Sequence, residues 1–260
     1  MDQNKLIILG CGPSGGLPLI GPQSGGFWGV CDSMNPKNRR MRASIYVEYE
    51  GKKILVDTSP DFRQQFLTFG LNDIDAVLYT HEHADHTHGI DELRSLFFAR
   101  KERIIPIYGD QETIQKLKER FAYLFEGGDH FIYPKILESQ IISNAFLVQE
   151  ACIISFHQTH GVGTSLGYRF GNMAYSTDVT DFDDHAQECL KGLDIWVIDC
   201  LSREPKPSHL HLEDSLKWIE KMKPKKAILT HMNASLDYET LKKELPPHIE
   251  PAYDGMMIEF

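Results

Sequence analysis

Five times along the chain a short run of β-prone apolar residues stops abruptly at a polar one. Ile54-Leu55-Val56 stops at Asp57, Ala76-Val77-Leu78-Tyr79 at Thr80-His81, and Ala174-Tyr175 at Ser176-Thr177-Asp178. Ile195-Trp196-Val197-Ile198 stops at Asp199, and Ala227-Ile228-Leu229 at Thr230-His231. Runs of this length without polar alternation read as strands buried on both faces. Such strands need layers above and below them, which predicts a layered α/β fold. Their polar last residues then gather along one sheet edge, where ligands of such folds collect.

Helices are expected over Gln111 to Leu124, Leu212 to Met222 and Glu239 to Leu245, from three-to-four spacing of apolar residues and acidic first turns. Residues 10–43 differ. They are rich in Gly and Pro, carry Lys37, Arg39, Arg40 and Arg42, and read as a long ordered loop. Those cations either attract an anionic substrate or are simply solvated. The 260 residues include no repeat and no Pro/Ser linker, so one domain over 1–260 is expected. A chain of this length buries enough surface to need no disulfide staple. The formal charge of −10 argues against a broad basic face for DNA or RNA. Five Cys with no C-x-x-C pair indicate a reducing compartment, and no run reaches the ~18 apolar residues of a membrane span. A cytoplasmic protein without membrane partners is the expectation.

The chemistry concentrates in His81-Glu82-His83-Ala84-Asp85-His86, just after a strand candidate. Imidazole and carboxylate are ligands for zinc, manganese or iron. Four ligands within six residues crowd a single tetrahedral ion and suit two adjacent ions. His81 and His83 point one way from extended backbone, and Asp85 and His86 turn toward a neighbouring position. Further ligands are expected from the polar strand ends: His160, Asp178 and His231. A carboxylate such as Asp178 has two oxygens and can bridge two cations.

These residues make the chain resemble the metallo-β-lactamase-fold hydrolases. The resemblance implies a four-layer αββα sandwich, two mixed β-sheets flanked by helices. It assigns His81, His83 and His160 to one metal and Asp85, His86 and His231 to the other, with Asp178 bridging. Asp57 matches the residue that orients a ligand imidazole by taking its other N–H. Leu9-Gly10-Cys11-Gly12-Pro13-Ser14-Gly15-Gly16 and Pro251-Ala252-Tyr253-Asp254-Gly255-Met256 resemble the opening and closing motifs of the phosphodiesterase branch. Within it the chain is similar to phosphoribosyl cyclic-phosphate phosphodiesterases, and more distantly to tRNA 3′-processing nucleases. His209, in Pro207-Ser208-His209-Leu210-His211, matches that branch's extra histidine, implied to act on the leaving oxygen. His211 is expected to be structural. His88 and Ser14 are candidates for substrate contact. The relatives' structural zinc site is not matched, because Phe27-Trp28-Gly29-Val30-Cys31-Asp32 holds one Cys and Ala234 replaces a later His. Packing of Phe27 and Trp28 is expected to hold that loop instead.

The expectation is a dinuclear enzyme with two divalent ions per chain, Zn2+ or Mn2+. A hydroxide between the ions, near Asp85 and Asp178, attacks the phosphorus of a small cyclic phosphate or nucleotide diester, and His209 acts as general acid. The rivals are hydrolysis of a thioester, ester or lactam, tRNA 3′-processing, and a nucleotide-binding sensor without chemistry. The partner is a small anionic phosphodiester or nucleotide. DNA is excluded, tRNA is disfavoured by the absence of an inserted basic arm, and a homodimer is a mild expectation.

Overall fold

The structure, a computed structural model, describes residues 3–22, 24–128 and 134–260. Among these described residues, fourteen strands form two seven-stranded sheets. The first sheet holds β1 (Lys5–Gly10), β2 (Ser44–Tyr49), β3 (Lys52–Val56), β4 (Ala76–Leu78), β5 (Ile105–Gly109) and β6 (Leu137–Ile141). Its order is β14-β1-β2-β3-β4-β5-β6, with β14 (Met257–Glu259) on its outer edge. The second sheet holds β7 (Ala145–Val148), β8 (Ala151–His160), β9 (Gly163–Phe170), β10 (Met173–Ser176), β11 (Ile195–Asp199), β12 (Lys226–Thr230) and β13 (Ile249–Pro251). Its order is β13-β12-β11-β10-β9-β8-β7. Both sheets are mixed in the same way. Antiparallel pairings run from β14 to β3 and from β7 to β10; the remaining neighbours, β3 to β6 and β10 to β13, are parallel.

Alternate faces of each strand meet different layers. On the first sheet, Ile8, Val47, Ile54 and Leu78 face the second sheet and pack with its Phe156, Tyr168, Phe170 and Tyr175. The intervening residues Leu9, Tyr46, Leu55 and Val77 face outward. They are covered by α1 (Phe62–Thr68), α3 (Leu93–Ala99), α4 (Gln111–Arg120) and α5 (Ala122–Phe125), through Phe66, Leu96, Ile114 and Leu124. The second sheet is covered by α6 (Asp184–Cys189), α7 (Leu212–Met222) and α8 (Tyr238–Glu244), through Ala186, Ile219 and Leu241. The result is the αββα sandwich. The remaining helix, α2 (Ala84–Thr87), covers no sheet and sits in the metal-ligand motif.

All five apolar runs are strands, and α7 has the expected bounds. The helix expected over Gln111 to Leu124 is instead two, broken at Phe121, whose φ of −126° and ψ of 36° leave the helical region. The last helix begins one residue earlier than expected, because Asp237 caps it by accepting from the Thr240 N–H at 2.9 Å.

The loop at 10–43 is ordered by its own cations, and none of the four lines the cleft described below. Arg40, 1% exposed, donates to the Met232, Asn233 and Leu236 carbonyls and to Asn38 Oδ1. Arg42 pairs with Asp61 at 2.8 Å, Lys37 lies over the Tyr238 and Tyr253 rings, and Arg39 lies over Trp28. Trp28 packs on a small cluster of Leu17, Cys31 and Ala234. Phe27, expected to pack with it, is 44% exposed and holds its place through backbone bonds to Leu19. Arg40 thereby fixes the chain just after His231. Arg40→Met should lower unfolding free energy by about 2–4 kcal/mol, because three carbonyls lose a charged donor. Urea denaturation monitored by tryptophan fluorescence measures this.

Candidate metal centre

Each chemical side chain sits where a strand ends or a turn begins. β3 delivers Asp57, β4 leads through Thr80 to His81, β8 ends on His160, β10 leads to Asp178, β11 ends on Asp199, and β12 leads to His231. Three of these residues take left-handed backbone angles: Asp57 (φ 65°), Asp178 (φ 53°) and His231 (φ 60°). Positive φ is uncommon outside glycine and costs energy, and such residues cluster at functional sites. Here it turns each side chain away from its strand toward a common point. The first sheet is registered on the second at this edge by Leu166, whose N–H donates to the Thr80 carbonyl at 2.8 Å, and by Tyr168, whose hydroxyl donates to the Tyr79 carbonyl.

His81, His83, His160 and Asp178 offer ligand atoms that all lie within 4.8 Å of one another, and so do Asp85, His86, Asp178 and His231. Asp178 belongs to both groups, and its two oxygens divide between them. Oδ2 lies 3.7 Å from His81 Nε2 and 3.6 Å from His160 Nε2. Oδ1 lies 3.1 Å from His86 Nε2 and 3.3 Å from His231 Nε2. Asp85 Oδ2 approaches His86 Nε2 at 3.3 Å and His231 Nε2 at 3.8 Å.

The rings are oriented from behind. His86 Nδ1 donates to Asp57 Oδ2 at 2.7 Å, and Asp57 also accepts from the Thr80 N–H and hydroxyl at 2.8 Å each. His160 Nδ1 donates to the Ser208 carbonyl at 2.6 Å. His81 Nδ1 lies 3.0 Å from the Thr80 hydroxyl. With the proton held on Nδ1, each of these imidazoles turns the Nε2 lone pair inward, as a metal ligand requires.

Burial opposes ionisation of Asp178, but His231 and His86 hold its carboxyl well below the ordinary range. Burial likewise opposes ionisation of Asp85, and His86 and His231 lower it. Burial, reinforced by His86, pushes the His81 pKa down. Imidazoles facing carboxylates form a donor set for a borderline divalent cation. The fit shows most directly in His86 Nε2 and both ring nitrogens of His231, which are buried and make no hydrogen bond. Such orphaned groups are costly unless something binds them.

His209 stands beside both groups. Its Nε2 is 3.8 Å from Asp178 Oδ2, and its Nδ1 donates to Asp199 Oδ2 at 3.1 Å. Burial lowers its pKa, but the Asp199 carboxylate outweighs this and carries it up to about 9. Asp199 Oδ1 lies 3.6 Å from His231 Nδ1. Sequence reasoning marked Asp199 as a strand end and gave it no role; its match to Asp57, as the acidic stop of an apolar run, was the available signal.

A cleft of about 480 Å3 opens over these residues, and Ser14, Glu82, Glu112, Thr164 and Ser208 help to line it. Ser14 therefore stands where substrate contact was expected. His88 does not, and its candidacy is corrected. It follows α2, its Nδ1 lies 3.1 Å from the Thr87 hydroxyl, and its ring packs on Phe121. Two residues past His86, at about 200° around the helix axis, its side chain lies outside the cleft lining. His211 caps the start of α7 and pairs with Asp214 at 2.8 Å.

Fold and site geometry are those of the beta-lactamase superfamily, and the chain belongs to that family, whose domain matches residues 52–232. A diphosphatase of the PhnP family superimposes with a TM-score of 0.90 and 38% identity, over 100% of this chain and 98% of that one. An octanoyltransferase of Porphyromonas gingivalis is 34% identical over 257 residues, 97% of this chain. The chain spans only 51% of that relative's length. The short form of human tRNase Z shares the fold at 14% identity, with a TM-score of 0.68 over 98% of each chain. Among the described residues no helix is long and apolar enough to cross a membrane.

A bound divalent cation stabilises only the folded arrangement. Exhaustive chelation should lower the thermal midpoint by about 5–10 °C, and adding back Zn2+ or Mn2+ at about a hundredfold over its dissociation constant should restore it. Scanning calorimetry before and after dialysis against chelator measures this.

Proposed function

We propose that the protein is a dinuclear phosphodiesterase or diphosphatase acting on a small phosphate ester or nucleotide. His81, His83 and His160 hold one divalent ion, Zn2+ or Mn2+. Asp85, His86 and His231 hold the other, and Asp178 serves both. Bound cations supply Lewis acidity toward phosphoryl oxygens and activate water near neutral pH. The rest falls to the chain's own side chains. Asp85 would orient the attacking water and take up its proton, while Asp178 stays ionised as the shared carboxylate. His209 Nε2 faces the cleft and delivers a proton to the departing oxygen. Asp199 keeps the His209 ring protonated at Nδ1 and aimed.

The single observation that carries this reading is the Asp199–His209 pair beside the shared carboxylate. Departure of an alkoxide from phosphorus is helped by a proton donor at the leaving oxygen, and His209 is an imidazole raised into a range where it remains charged at neutral pH. The similarity to a PhnP-family diphosphatase over the full chain supports phosphoryl chemistry.

A second reading, acyl ester or thioester hydrolysis, draws support from the likeness to an octanoyltransferase. The cleft opposes it. Among the described residues only Val162 supplies a branched hydrocarbon to the lining, too little to seat an eight-carbon chain. A DNA or tRNA substrate meets no basic groove at the cleft, and a homodimer remains part of the proposal without a residue to carry it.

The deciding experiment loads purified protein with Zn2+ or Mn2+ and screens bis-p-nitrophenyl phosphate, 2′,3′-cyclic nucleotides, dinucleoside diphosphates, octanoyl thioester and nitrocefin. Turnover confined to the phosphate substrates is expected; turnover of the thioester alone refutes the reading. His209→Ala should retain its metals and slow phosphate hydrolysis by at least about a hundredfold. Unchanged turnover removes His209 from the mechanism. Asp178→Ala should lose at least one ion per chain by elemental analysis.

A further inference from the structure

The cleft carries no Lys or Arg among its described lining residues. On one wall it carries two carboxylates, Glu82 from the metal-ligand motif and Glu112 from the first turn of α4. For an enzyme expected to take an anion, that wall has the wrong sign. Lys116, one turn along α4, holds the two together: its Nζ donates to Glu82 Oε1 and, at 2.7 Å, to Glu112 Oε1. Arg120 ties the same helix to the motif by donating to the Glu82 carbonyl. Each glutamate spends one oxygen on Lys116 and keeps the other for solvent or ligand. Glu82 is the more enclosed, with its side chain 19% exposed against 69% for Glu112. His231 and the other metal-facing side chains line the same cleft, so a ligand that reaches them enters the space this wall bounds.

We propose that Glu82 and Glu112, braced by Lys116, form a specificity wall for the non-reacting part of the substrate. They accept hydrogen bonds from hydroxyl or amino groups there and reject a further anionic group. The inference rests on the phosphodiesterase reading and adds to it which half of the substrate meets which charge. The phosphate to be cleaved belongs at the imidazole and carboxylate groups, where cations neutralise it. The remainder lies against paired carboxylates, which gain from donors and repel a second phosphate. This restricts the substrate class to diesters or diphosphates whose other half is hydroxyl-bearing or cationic, without an extra phosphate or carboxylate.

The test compares two probes on metal-loaded protein: thymidine 5′-(p-nitrophenyl phosphate), which has a free 3′-hydroxyl, and the same compound carrying a 3′-phosphate. The readout is the ratio of their kcat/KM values within each protein, so a general change in activity cancels. Wild type should prefer the 3′-hydroxyl probe by at least about tenfold. Glu82→Gln/Glu112→Gln should cut that preference at least about fivefold, and Lys116→Met should raise it by unmasking negative charge. A purely structural role would not move the ratio in opposite directions. If the double variant fails to fold, Glu112→Gln alone, at an exposed position, must lower the preference.

No preference in wild type, or an unchanged ratio in the glutamate variants, overturns the wall while leaving phosphate hydrolysis standing. If wild type turns over neither probe, the reaction reading fails. The wall is then judged by calorimetric binding of thymidine 5′-phosphate against thymidine 3′,5′-bisphosphate. Discrimination that falls in the glutamate variants supports it, and equal affinities overturn it.

Discussion

A carboxylate buried between two groups of imidazoles is the constraint around which the molecule is arranged. Asp178 is 2% exposed. An ionised carboxylate in such a place is tolerated only if positive charge and hydrogen-bond donors surround it. The Thr177 hydroxyl donates to Oδ1 at 2.8 Å, and the Ser165 hydroxyl holds the Asp178 backbone carbonyl at 2.8 Å. The rest comes from histidines of both sheets. His81 and His86 follow a strand of the first; His160 and His231 end strands of the second. The centre is therefore completed only when the two sheets pack, and the apolar layer between them is what brings its halves to within ligand distance.

The two sheets contribute in matched ways. In each, antiparallel strands give way to parallel ones, and the chemistry lies at that change. Asp57 ends β3, beside the strand that leads to His81; Asp199 ends β11, beside the strand that leads to His231. Each buried aspartate accepts a hydrogen bond from an imidazole Nδ1–H, Asp57 from His86 and Asp199 from His209. On the proposed reading, one arrangement orients a metal ligand and the other a proton donor. The shared physics is a carboxylate behind a ring, which fixes its tautomer and raises its basicity.

Charge is distributed against first appearance. The loop at 10–43 concentrates cations, yet they pair with carbonyls, aromatic rings and Asp61 and so build the wall that carries Ser14. The cleft itself is acidic at Glu82 and Glu112. With a formal charge of −10 overall, the proposed anionic substrate would be attracted by bound cations rather than by the protein surface.

Amino-acid order alone determined what is local. The run His81 to His86 places four ligands within reach of one another whatever else the chain does. The apolar runs fix where strands end, because a buried strand cannot carry polar side chains through its middle. The tertiary structure decided what depends on distance along the chain. That His160, Asp178 and His231 join the run, that Asp199 stands behind His209, that Arg40 clamps the segment after His231, and that His88 turns to Phe121 all follow from sheet packing and backbone twist. The positive φ of Asp57, Asp178 and His231 belongs to the same category. Neighbouring residues do not demand those angles; they are held because the surrounding core and hydrogen bonds outweigh their local cost.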